Sequence, residues 1–90
     1  MPNVNTIEAR KRALRLSRQV CSIVQFIMKD YNIDEYKAIS EFYRSETYSL
    51  LANYDTKIWW HSVPAVFEIY KSEKEYGSVF KSPYLFGEDA

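Results

Sequence analysis

From Thr6 to Tyr31 the apolar residues Ala13, Leu16, Val20, Ile23, Val24, Ile27 and Tyr31 recur at intervals of three and four. That spacing places them on one face of an α-helix. Thr6 is a suitable N-cap, and Glu8 falls in the expected first turn, where a carboxylate suits the positive end of the helix dipole. Leu14, Cys21 and Met28, seven residues apart, broaden the apolar arc. A helix with so broad an arc is expected to be covered from two directions, as the central element of a small bundle. Asn32-Ile33-Asp34-Glu35 interrupts the pattern, with Asn32 and Glu35 at capping-box spacing and Asp34 as a competing N-cap. A second helix then turns Tyr36, Ile39, Phe42 and Tyr43 inward, and the same period continues through Thr47, Leu50, Leu51 and Tyr54. Ser45, Thr47 and Ser49 offer side-chain bonds that compete with the helical ladder, which predicts a bend or break near Ser45.

Asp55 is a plausible N-cap for a short helical turn carrying Lys57 to His61. Ser62 then caps a last helix with Pro64 in its first turn, where a missing N–H costs little. Val63, Val66, Phe67 and Tyr70 share a face of that helix, while Glu68, Lys71, Lys74 and Glu75 occupy the other side. The helix should end near Tyr76, because Gly77 can adopt the left-handed conformation that closes it. Residues 78–90 contain Phe80, Tyr84, Leu85 and Phe86 without a clear period, which predicts either an extended C-terminal strap packed on the bundle or a segment that a partner orders. The expected architecture is all-α: a small bundle of three to four helices with a long N-terminal helix.

Composition narrows this picture. Ninety residues support one hydrophobic core, so 1–90 form a single helical domain, with 1–5 and 78–90 its least tightly held parts. A hydrophobic fraction of 47%, with two glycines and three prolines, fits a packed helical protein and not a disordered tail. Cys21 is the only cysteine, which rules out an intrachain disulfide; within an apolar helical pattern it is expected to be buried and inert. The polar N-terminus lacks the form of a signal peptide, and Val20–Met28 is far below the roughly 20 residues needed to cross a bilayer. A soluble, cytoplasmic protein without membrane association is expected.

The net charge of zero conceals an uneven distribution. Residues 1–31 carry six basic side chains (Arg10, Lys11, Arg12, Arg15, Arg18 and Lys29) against Glu8 and Asp30, and the remainder has the opposite excess. Such polarity favours head-to-tail association of two copies or an acidic partner. Arg10, Lys11, Arg12, Arg15 and Arg18 form a candidate nucleic-acid-binding set, since guanidinium groups along a helix can track phosphates. The same arrangement also describes an ordinary solvated helix face.

Chemistry-bearing constellations are scarce. One histidine and one cysteine do not make a metal site of the usual type, no glycine-rich phosphate loop is present, and Ser62 or Cys21 beside His61 is only a formal nucleophile–base pairing. No catalytic residue, metal or cofactor is assigned. The densest information lies in Tyr54-Asp55-Thr56-Lys57-Ile58-Trp59-Trp60-His61-Ser62, which holds both tryptophans and the histidine. Adjacent helical residues point about 100° apart, so only one of Trp59 and Trp60 can face the core squarely. Either the other is an exposed anchor of the kind that dominates protein interfaces, or both are absorbed by Phe80, Tyr84 and Phe86 of the strap. On the first reading Tyr54, Ile58, Trp59, Trp60 and His61 form the partner-binding set.

Ile23-Val24-Gln25-Phe26-Ile27, the helix Glu35 to Tyr43, and the run from Ser45 through Leu50-Leu51, Tyr54-Asp55 and His61 together resemble DUF3791, a family of small bacterial proteins of uncharacterised function. The resemblance covers residues 23 to about 72, just over half the chain; extra residues between Asp55 and His61 and the Trp59-Trp60 pair depart from the family's pattern. Members are small helical proteins, and some resemble the partner of a toxin encoded beside them. The resemblance therefore implies an antitoxin-like role. The leading expectation is a non-enzymatic interaction module that masks a partner protein, such as a toxin, or pairs with its own copy. The alternative is a small nucleic-acid-binding regulator.

Overall fold

The computed structural model describes residues 4–79. Four α-helices follow in order: α1 (Val4–Tyr31), α2 (Glu35–Tyr43), α3 (Glu46–Ala52) and α4 (Val63–Tyr76), with two 3₁₀ turns, Tyr54–Thr56 and Ile58–Trp60, between α3 and α4. No strand occurs among the described residues. The predicted strap with Phe80, Tyr84 and Phe86 lies outside them.

The helix boundaries follow local chemistry. Asn32 adopts a left-handed conformation (φ 55°) after α1, and the Ile33 N–H donates back to the Met28 carbonyl at 3.3 Å. This is a Schellman closure, whose usual hydrophobic contact is supplied by Met28 and Ile33, both packed against the core. Asp34 caps α2 by accepting from the Lys37 N–H at 2.8 Å. The break expected near Ser45 is present: Ser45 ends α2 by donating to the Phe42 carbonyl and begins α3 by accepting from the Tyr48 N–H. Ser62 caps α4 with Pro64 in the first turn, and Gly77 (φ 76°) closes it as its N–H donates to the Glu73 carbonyl.

α3 has only seven residues and receives a second cap from across the molecule. The Glu73 carboxylate of α4 accepts from the Glu46 N–H (2.8 Å), the Thr47 N–H (2.9 Å) and the Thr47 hydroxyl (2.7 Å). A short helix is marginal alone, and this carboxylate adds a polar tie to the apolar packing that holds α3 in the bundle.

Val20, Ile23, Val24 and Ile27 of α1, Ala38 and Phe42 of α2, Leu51 of α3, Ile58, and Val66, Phe67, Ile69 and Tyr70 of α4 make the core. Phe42 lies at its centre, edge-on to Tyr48 and Tyr70 with ring centroids 5.7 and 5.6 Å away. The Tyr70 hydroxyl is buried and has no hydrogen-bond partner among the described residues. Burial, then the charge of Glu41 and the neighbouring Tyr31 and Glu73, push it up to about 12.

Several expected core positions are not core. In α2 the buried face is Ala38 and Phe42, whereas Tyr36 is 85% exposed and Tyr43 49% exposed. The small Ala38 allows close approach, and the tyrosines keep their hydroxyls in water. Cys21 is exposed on α1, not buried, and Leu14 is 60% exposed. Ala13 is also exposed although it continues the line of Leu16, Val20 and Ile27. The reason is length. A helix of 28 residues is about 42 Å long, close to the molecule's longest extent of 47 Å, and α2 and α4 are too short to cover all of it. The N-terminal half of α1 thus projects as an arm. The arm begins at Val4, so Thr6 lies inside the helix instead of capping it, and Glu8 falls beyond the first turn. Among the described residues no helix is long and apolar enough to cross a membrane.

Candidate functional site

The segment between α3 and α4 is built by short-range hydrogen bonds. Asn53, not Asp55, caps the first 3₁₀ turn, its side chain accepting from the Asp55 N–H at 3.0 Å. The Thr56 hydroxyl reaches back to the Leu50 and Asn53 carbonyls. Lys57 then takes a left-handed conformation (φ 61°, ψ 15°), which reverses the chain and starts the second turn. The Trp60 and His61 N–H groups close it on the Lys57 and Ile58 carbonyls.

This reversal sorts the predicted partner-binding residues. Ile58 is 2% exposed and plugs the core, so it anchors the segment and offers no contact surface. His61 is half-buried where the segment enters α4. Tyr54 leaves the inward period expected of it and lies at the surface. Its ring stacks on Trp59 with centroids 4.7 Å apart and planes 13° from parallel, and Trp59 in turn stacks on Trp60 at 5.1 Å and 22°. The Trp59 indole N–H donates to the Tyr54 carbonyl at 2.8 Å, which fixes the middle ring. Trp60 ends the stack 72% exposed. Of the two readings of the tryptophan pair, Trp59 is the half-buried member and Trp60 the exposed one.

The predicted basic set splits. Arg12 and Arg15 of the α1 arm lie over the aromatic rings, with the Arg12 guanidinium 4.2 Å from the Tyr54 centroid and that of Arg15 4.8 Å from Trp59. Lys57 approaches Tyr54 from the loop at 6.0 Å. Lys11 pairs with Glu8 at 3.9 Å, and Lys11, Leu14 and Arg18 line a shallow depression beside Arg15. Arg10, two residues before Arg12, sits about 160° around the helix and does not join this face. Among the described residues Arg10, Arg12, Arg15 and Arg18 form no ion pair.

The sequence reading treated aromatic and basic residues as two separate sites, whereas the fold brings them into one. It also missed Gln19, whose side-chain N–H donates to the Trp59 carbonyl at 3.1 Å. Arg12, Arg15 and Gln19 are spaced three and four apart, so a helical wheel that followed the polar face would have grouped them. Beneath the stacked guanidiniums runs a groove of about 210 Å³ between α1 and the end of α3. No protein family, curated protein or solved structure matches the chain. The functional reading therefore rests on this face, where one indole is presented on a fixed stack and two guanidiniums form no ion pair among the described residues.

Proposed function

We propose that the protein is a non-enzymatic interaction module that binds and masks a partner protein, with Trp60 as its anchor. One observation carries the reading: a large aromatic side chain stands mostly in solvent while the ring beneath it is fixed by stacking and by a hydrogen bond. Presenting such a side chain already ordered lowers the entropy lost on association, and tryptophan is among the residues that most often dominate interface energy. The antitoxin-like form of the role rests on the resemblance to DUF3791.

The test is affinity capture from lysate of cells carrying the protein, with the wild type and Trp60→Ala side by side. Circular dichroism must first show that both are equally helical. A partner that the wild type retains and Trp60→Ala loses is the expected result; a partner held equally by both, or by neither, contradicts the anchor.

A second reading, single-stranded nucleic acid, is favoured by Arg12 and Arg15 meeting the rings, since such proteins combine cationic tracks with aromatic platforms. It requires retention of an oligonucleotide that weakens steeply as salt rises.

A further inference from the structure

The groove beneath Arg12 and Arg15 has a composition that selects among partners. Its walls are Ala13, Leu16, Leu51 and Ala52 with Gln19 as the polar side chain among them, and Tyr54 and Trp59 close one side. At about 210 Å³ it exceeds the cavity of about 150 Å³ that admits a benzene ring, so an aliphatic side chain fits. The two guanidiniums at its rim lie over aromatic rings and form no ion pair among the described residues. Contact with a ring leaves N–H groups of a guanidinium available, and their fork matches a carboxylate.

We propose that this groove takes an aliphatic side chain from an exposed segment of the partner protein, while Arg12 and Arg15 pair with carboxylates flanking that residue. The inference rests on the protein-partner reading above and adds to it the chemistry of the partner. Charge complementarity commits the occupant to an acidic segment, because these arginines form no ion pair with an acid of their own chain among the described residues. A nucleic-acid strand fits less well. Tyr54 and Trp59 spend their facing surfaces on each other and lie under Arg12 and Arg15, which leaves Trp60, 72% exposed, as the most open ring on which a base could stack.

The experiment selects twelve-residue random peptides displayed on phage against the immobilised full chain. Enriched peptides should carry Leu, Ile or Met beside Asp or Glu. They should bind the wild type at least about tenfold more tightly than the Arg12→Gln/Arg15→Gln variant, and more weakly as salt rises. Because those substitutions also remove ring contacts, Ala13→Glu serves as the second variant. It leaves both guanidiniums in place on an exposed helix position, and it should abolish peptide binding by filling the groove and repelling acids. Absence of enrichment, a consensus without carboxylates, or unchanged binding by Ala13→Glu overturns the proposal. So does displacement of the peptides by a thymidine dodecanucleotide that binds more tightly, which would assign the face to nucleic acid. If partner capture depends on Trp60 yet is untouched by Ala13→Glu, the general reading survives and this inference fails.

Discussion

Trp59→Ala is the perturbation that most directly probes how the aromatic face is held. Trp59 stacks on both Tyr54 and Trp60, lies under the Arg15 guanidinium, and donates one hydrogen bond to the Tyr54 carbonyl. Aromatic pairs contribute about 0.5–1.5 kcal/mol each beyond burial, a partly exposed cation–π contact about 0.5–1 kcal/mol, and a net hydrogen bond about 1 kcal/mol. These terms share one side chain and are not additive, so the expected loss is about 2–4 kcal/mol. That is a large fraction of the stability of a small domain. The assay is urea denaturation followed by circular dichroism at 222 nm, comparing midpoints at equal slope. Trp60→Ala removes one exposed ring and should cost less than about 1.5 kcal/mol. A loss below about 1 kcal/mol for Trp59→Ala, or equal losses for the two variants, would refute the view that Trp59 is the fixed member and Trp60 the presented one.

Other consequences are equally open to measurement. Glu73→Ala strips α3 of three hydrogen bonds to a charged acceptor, two of them from its first N–H groups, and should lower stability by about 2–3 kcal/mol in urea titrations. Lys57→Gly relieves a left-handed residue and should leave stability unchanged or raise it by up to ~1 kcal/mol, whereas Lys57→Val should lower it by about 1–2 kcal/mol on the same assay. Tyr70 is held neutral by burial, so its folded value of about 12 lies above the unfolded value near 10. The stability this contributes is complete below pH 10 and is lost as pH rises to 12, by up to about 2–3 kcal/mol. Tyr70→Phe should shift stability by less than about 1 kcal/mol at pH 7, since the hydroxyl makes no hydrogen bond among the described residues, and should flatten most of the alkaline loss; burial and the acidic neighbours of Tyr31 add a smaller slope of the same sign.

Much of the fold was legible because helix ends are written in single residues. Asp34, Ser45, Ser62, Pro64 and Gly77 each have a local chemical reason to start or stop a helix, and each does so here. The apolar period of α1 likewise located Val20, Ile23, Val24 and Ile27. Periodicity fails where it must report extent instead of direction. Ala13, Leu14 and Cys21 follow the apolar pattern but are exposed, because whether a partner helix reaches them depends on the lengths of α2 and α4. In α2 the pattern of tyrosines outweighed a lone alanine, and small size is what marks a close helix crossing.

The candidate site was legible as a list of residues and not as a surface. Local spacing singles out Trp59 and Trp60 as a pair of which either one faces outward or both are absorbed by the strap, yet nothing in it says that Arg12 and Arg15, more than forty residues away, come to lie over the rings. That juxtaposition is tertiary. It depends on the overhang of α1 and on the reversal at Lys57, which turns Tyr54 and Trp59 toward the arm.

Acrylamide quenching of single-tryptophan variants tests the central claim most directly. In Trp59→Phe the remaining indole, Trp60, should be quenched at nearly the rate of free tryptophan. In Trp60→Phe the remaining Trp59 should be quenched several-fold more slowly, because stacking and its hydrogen bond shield it. Slow quenching in both variants would mean that no indole is presented to a partner, and the proposed anchor would be lost.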